Sequence, residues 1–179
     1  MKRTLMLIAV AGIVLSSVSS CSNKQAAANA LTPENKQSTN EQILTEANNQ
    51  FYAALNNMFT GNVQPMDNIW SHANDVTHLG PFGDCIKGWD AVGAEWKRES
   101  QLKLGGKVEC RDLLVFPGKE MGFTVCTEVG QNMSADGKPV EVKFRATNIF
   151  RLENGEWKLV HHHTDISSSL QAATFVDKN

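Results

Sequence analysis

Three consecutive histidines, His161-His162-His163, end a strand-like run that starts at Glu156 and stops at Asp165. Successive side chains of an extended strand point to opposite faces, so His161 and His163 share one face and His162 takes the other. Two imidazoles on one face can act as an acid–base pair, supply two ligands to a metal, or hydrogen-bond within a polar pocket. Zinc would need a third ligand from His72, His78 or Asp165, and no spacing forces those together, so no metal site is expected. Asp75, His72 and His78 are the other groups placed to supply a base. No cofactor is expected.

The elements that position these groups can be read outward from the histidines. A second strand-like run, Val142 to Leu152, precedes them across Glu153-Asn154-Gly155-Glu156. Asn-Gly between alternating runs is a strong hairpin signal, because a type I′ turn needs positive φ at both central residues. A two-residue turn sets the register: Leu152 faces Trp157, Phe150 faces Leu159, Asn148 faces His161, and Ala146 faces His163. One face is then apolar at the turn end and carries Asn148, His161 and His163 at the far end. Arg151, Lys158, Thr147, His162 and Arg145 fall on the other. An apolar face that turns polar at one end fits a sheet lining a half-open pocket. Asn148 would hold the imidazole tautomer or meet a ligand carbonyl, or else anchor a turn or a water. Trp70, Trp89 and Trp96 would roof the pocket or fill the core. A bulge would reverse the parity and turn Arg145 from the outer face into the pocket.

Upstream, Glu41 to Thr60 has the 3.6-residue period of an amphipathic helix, with Ile43, Leu44, Ala47, Phe51, Ala54, Leu55, Met58 and Phe59 on one face. Thr39 and Gln42 can form a capping box, and Gly61 suits the position after the helix. Pro65 to Trp70 reads as a short helix, and Asp75 to Leu79 as a short strand. Trp89 to Leu102 reads as a third helix, with Val92, Trp96 and Leu102 on or near one face. The period then becomes two over Val108–Phe116, Met121–Val129, Val142–Leu152 and Trp157–Asp165. Helices followed by an antiparallel meander is the α+β pattern. The long strands should curl around the first helix and leave a cone with one open end.

Both chain ends lie outside this domain. Met1-Lys2-Arg3, the apolar Leu5 to Val14, and Val18-Ser19-Ser20-Cys21 have the order of a lipoprotein signal peptide over residues 1–20. Cys21 would be lipidated, and Ser22 after it, rather than Asp, points to the outer membrane. Residues 21–38 form the lipidated Cys and a polar tether. The domain covers 39–170, and 171–179 is a tail. The expected location is the bacterial cell envelope, with a lipid-anchored domain facing the periplasm. The net charge is −2, and loss of Lys2 and Arg3 deepens it. No basic patch remains for nucleic acid. Of the four cysteines, Cys85, Cys110 and Cys126 remain after lipidation, an odd number. A three-residue loop at Pro117-Gly118-Lys119 would set Cys110 opposite Cys126. A two-residue loop would put them out of register.

The span from about residue 40 to 168 resembles the nuclear transport factor 2-like superfamily, and most of all its SnoaL-like and ketosteroid-isomerase-like branches. Three stretches carry the resemblance: Phe51-Tyr52-Ala53-Ala54-Leu55-Asn56; Asn74-Asp75-Val76 leading to Gly80-Pro81 and Gly88-Trp89-Asp90-Ala91-Val92; and Arg145 to Phe150 followed by Asn154 to His163. The last also resembles the association domain of calcium/calmodulin-dependent protein kinase. The resemblance implies a cone-shaped fold with a deep pocket, and dimers through the outer face of the sheet. Ketosteroid isomerases carry a base just before a Pro, where this chain has Gly80. Their oxyanion-stabilising Tyr matches Phe51, with Tyr52 one step off the face. That activity is therefore not expected. The leading expectation is a tethered lipoprotein whose cone binds a small apolar molecule, or dimerises as a homodimer. The alternative is an isomerase, cyclase or dehydratase using His161, His163, Asp75 or His72 on a small polyketide-like or steroid-like substrate.

Overall fold

The amphipathic period from Leu44 onward builds α1, which in the computed structural model runs Pro33–Met58. The residues described are 33–134 and 136–169. The signal peptide, Cys21, most of the tether and the C-terminal tail lie outside them. α1 begins earlier than Glu41 and takes in residues 33–38. Proline is favoured in a first turn, where its missing N–H leaves no bond unmade. The Thr39–Gln42 capping box therefore does not mark the helix start. The helix stops where expected: Gly61 has a φ of 98° and donates its N–H to the Met58 carbonyl.

Two further helices follow, α2 (Gln64–Ile69) and α3 (Trp89–Leu102). Between them lie two short strands, β1 (Thr77–Leu79) and β2 (Ile86–Lys87). β2 was not anticipated, because two residues between a turn and a helix show no period. The meander follows as β3 (Lys107–Phe116), β4 (Met121–Met133), β5 (Pro139–Glu153) and β6 (Glu156–Ile166). One six-stranded sheet results, in the order β2-β1-β6-β5-β4-β3. The expected α+β architecture is present, with helices on a curved sheet that is antiparallel except where β1 joins β6 in parallel.

Leu44, Phe51, Leu55 and Met58 of α1 bury against the sheet. Gly122 permits the approach, since a Cβ there would come within 2.7 Å of Leu44 Cδ2. Asn56 ties α1 to the edge strand β3, donating to the Val108 carbonyl at 2.9 Å and accepting from its N–H at 2.8 Å. Two details differ from the helical pattern. Ile43 is exposed, whereas Asn48 and Tyr52 are buried. On α3, Val92 and Trp96 are buried and Leu102 is exposed.

The β5–β6 hairpin closes through Asn154 and Gly155, both at positive φ, with Glu153 opposite Glu156. Leu152 faces Trp157 and Phe150 faces Leu159, as the turn dictates. The ladder then shifts by one. Ile149 faces His161, Asn148 faces His162, and Thr147 faces His163. The expected pairing of Asn148 with His161 is thus corrected. Val160 is the extra residue of a β-bulge, and both it and Leu159 are buried. The bulge falls where β6 changes neighbour. Leu159 bridges Trp70 and accepts from the Ser71 N–H at 2.9 Å, while His161 to His163 pair in parallel with β1. A second register correction lies between β3 and β4. Cys110 faces Glu128, not Cys126, because Phe116 faces Phe123 and a bulge intervenes between Arg111 and Leu114.

Candidate functional site

The inner faces of the sheet and of α1 and α3 enclose a cavity of about 350 Å³. Leu55 of α1 and Phe59 just after it, with Val142 and Phe144 of β5, supply apolar wall. The sheet contributes the polar groups His78, Glu128, Asn132, His162 and Thr164, with Trp96 of α3 beside them. The loop from Gly80 to Asp84 and the α3 residues Glu95, Arg98 and Glu99 also line it.

Each polar group is positioned by the sheet. β1 pairs in parallel with β6, setting His78 beside His162, and their rings stack 5.5 Å apart at 8°. Trp96 packs over His78 at 4.4 Å, and Phe51 lies 4.8 Å from His162. The Nδ1 of His162 is 2.6 Å from Asn148 Oδ1. Asn148 in turn donates through Nδ2 to Asn48 Oδ1 at 2.9 Å, which also accepts from the Thr124 hydroxyl at 2.8 Å. With Oδ1 of Asn148 left to accept, Nδ1 of His162 carries the proton and Nε2 presents a lone pair. That Nε2 lies 4.0 Å from Glu128 Oε1. The same carboxyl oxygen accepts from the Tyr52 hydroxyl at 3.1 Å.

Burial dominates the electrostatics. It pushes the Glu128 carboxyl up to about 7, although the Tyr52 hydrogen bond pulls the other way. It pushes His78 down to about 4 and His162 well below the usual imidazole range. Tyr52 is raised by burial and then by Glu128, so it stays a phenol. Burial, and then Glu95 beside it, likewise raises Glu99 to about 7, so near neutrality the site holds two neutral imidazoles and two carboxyls poised to gain or lose a proton. The indole N–H of Trp96 and Nδ1 of His78 are buried without a protein partner. No cluster of three metal-binding side chains occurs among the described residues.

A SnoaL-like domain matches residues 44–168. The chain belongs to the SnoaL-like domain family. Its fold is shared with a proposed dehydratase of the NTF2-like family from Streptomyces avermitilis, at 21% identity and a TM-score of 0.65, covering 73% of this chain and 98% of that one. It is shared also with an NTF2-like superfamily protein of Salmonella enterica, at 13% identity and a TM-score of 0.63, over 74% and 95% of the two chains. The association domain of the C. elegans calcium/calmodulin-dependent protein kinase II has a TM-score of 0.57 at 12% identity, over 73% and 98%. In sequence, the Arabidopsis thaliana F-box protein SKIP8 is 23% identical over 104 residues, 58% of this chain and 42% of that protein. The chain thus spans less than half the length of this curated relative.

The SnoaL-like cone brings together only part of the set expected from the sequence. Trp96 lines the cavity, and Asn148 supports it from behind through His162. Trp70 is buried beside Trp96, at 6.0 Å, but does not line the cavity. The Val160 bulge turns His161 and His163 to the outer face, where Nδ1 of His161 meets the Thr77 hydroxyl at 2.7 Å. Asp75 is exposed and paired with Arg151, which also holds its carboxyl below the usual range. His72 stacks on Trp89 at 4.3 Å. None of His161, His163, Asp75 and His72 lines the cavity. Arg145 pairs with Asp165 of its own chain. Gly80 lines the cavity and Phe51 lies in the core, so neither matched isomerase position carries the needed group.

Tyr52, Glu128 and His162 were missed as site residues. The signal for Glu128 was available. Gly122, Thr124, Cys126, Glu128 and Gly130 alternate on one face of β4, and a single acid in such a series marks a buried carboxyl. Tyr52 was set aside as one step off the helix face, yet α1 buries a stripe wide enough to include it.

Proposed function

We propose that the SnoaL-like cone binds a small, mostly apolar molecule whose polar group rests among Trp96, His78, Glu128 and His162. The observation that carries this reading is the cavity itself: about 350 Å³, with mainly apolar walls and a few convergent polar groups. An uncharged oxygen acceptor fits that end best. The Trp96 indole N–H is buried without a partner, and leaving such a donor unmet is costly. The test is native mass spectrometry of the purified protein, joined to titration with a small apolar fluorophore. Co-purified ligand or saturable probe binding is expected, lost when Val142→Trp fills the cavity. Absence of both from the folded wild type would overturn the reading.

A second reading is supported by one pair of groups. Glu128 titrates near neutrality and faces the free Nε2 of His162 across 4.0 Å. Such a pair could take a proton from one ligand atom and return one to another, the chemistry of an isomerase, cyclase or dehydratase. The Streptomyces protein named above as a proposed dehydratase is in keeping with this. Glu128→Gln separates the readings, since an enzyme would retain binding and lose turnover.

The setting we propose is that of a lipoprotein tethered through Cys21 to the cell envelope, most simply the outer membrane facing the periplasm. The same reading includes a two-fold homodimer through the outer face of the sheet. Phe116 and Phe123 stack there at 4.5 Å while remaining 45% and 42% exposed. Leu114 beside them is also exposed. Adjacent exposed apolar side chains of this size favour burial against a second copy.

A further inference from the structure

Behind the cavity wall, two thiols share one polar pocket. Cys126 is buried on β4 and Cys110 is half-buried on the edge strand β3. Cys110 faces Glu128, so Cys126 is its diagonal neighbour on the same side of the ladder. Two side chains one helical turn apart on α1 hold them. The Asn48 amide donates to Cys110 Sγ at 3.5 Å, and the Tyr52 hydroxyl lies 3.1 Å from Cys126 Sγ. Both are free thiols here.

We propose that Cys110 and Cys126 are a redox-active pair that closes to an intramolecular disulfide by exchange with a small-molecule or protein disulfide. Interaction with Cys126 and the Asn48 amide favours the thiolate at Cys110, whereas interaction with Cys110 and burial keep the proton on Cys126. Cys110 is also the more accessible of the two, so it is the attacking sulfur. Its thiolate attacks one sulfur of the incoming disulfide, the S–S bond breaks, and one thiolate leaves. Cys126 then gives up its proton and attacks the Cys110 sulfur of the mixed disulfide, releasing the second thiol. Two protein thiols are oxidised and one external disulfide is reduced to two thiols. The product fastens the edge strand β3 to β4 across the bulge at Arg111–Leu114. It also removes the Cys126 S–H from Tyr52, leaving the phenol to Glu128.

The closest other use of these groups would be packing alone, and the reactivity of the two sulfurs separates it from exchange. The full chain carrying Cys85→Ser is equilibrated with reduced and oxidised glutathione, quenched by alkylation and digested with trypsin. Cleavage after Arg111 and Lys119 places the two cysteines in separate peptides. The expected result is a Cys110–Cys126 linked pair that a reductant resolves. Adding Cys126→Ser should trap a glutathione adduct on Cys110, whereas adding Cys110→Ser should leave Cys126 unmodified. Both cysteines alkylated in full in the folded protein at oxidising glutathione ratios would overturn the proposal. So would an adduct that forms on Cys126 in preference to Cys110. The linkage measurement needs neither second substitution, so a variant that fails to fold does not remove the test.

Discussion

His162 and Asn148 meet across the β5–β6 ladder, with Nδ1 of the imidazole 2.6 Å from Oδ1 of the amide, and both side chains are fully buried. The bond orients the ring so that Nε2 looks towards Glu128. It exists because one residue, Val160, is inserted between the hairpin turn and the histidines.

His162 should therefore be the sensitive histidine of the three. His162→Ala leaves Asn148 Oδ1 buried without a donor, at a cost of roughly 1–3 kcal/mol. His161→Ala gives up a half-buried contact to Thr77, worth about 0.5–1.5 kcal/mol. Urea unfolding of the two variants compares them. Equal losses, or a larger loss for His161→Ala, would count against the assigned faces.

Glu128 should make stability depend on pH. Its carboxyl is about 7 in the folded protein, above its ordinary value, so folding favours the protonated form. That contribution is present in full below the ordinary carboxylate range and is lost as pH rises through about 7. Glu128→Gln should lessen this alkaline-going loss in thermal melts between roughly pH 5 and 8, while Glu99, also raised to about 7 by burial, retains a share of it. An unchanged profile would show that Glu128 is not held neutral by burial.

His78 should act in the opposite sense. Burial depresses it to about 4, so its neutral form is favoured by folding. Stability from this group is present above the ordinary imidazole value and is lost as pH falls from there through about 4. His78→Gln should lessen the acid loss, measured as the slope of the melting temperature against pH. His162, also depressed by burial, should retain a share of that slope in the variant.

The homodimer should be visible by sedimentation of the Cys21→Ala protein, at concentrations on the order of tens of micromolar. Phe123→Asp places a charge in the exposed apolar strip and should yield monomers with an intact fold. A wild type that sediments as a monomer throughout this range would rule out the interface.

Lipidation is checked by fractionation. The wild type should partition with membranes and carry acyl chains on Cys21, and Cys21→Ala should lose both. A wild-type protein found unacylated and cleaved at another residue would remove the tether reading.

Much of this fold was legible from local pattern. The 3.6-residue period located α1 and α3, the change to a period of two located the four long strands, and Asn154-Gly155 placed the hairpin turn. These are properties of neighbouring residues, so they survive without tertiary information. The fold family was legible for the same reason, since three ordered motifs span most of the domain. The site was legible less well. Counting from the turn put His161 and His163 inside, and one inserted residue reversed every side chain beyond it. No local preference marks Val160 as a bulge. It arises because β6 must satisfy Trp70 and Ser71 near the turn and then β1 further along. The burial of Tyr52 and Glu128 depended likewise on how α1 lies across the sheet, where the Gly122 gap lets the helix settle. Parity along a strand is a local quantity only while the ladder is unbroken. Where a strand exchanges one neighbour for another, the packing of the whole domain decides which side chains face the cavity.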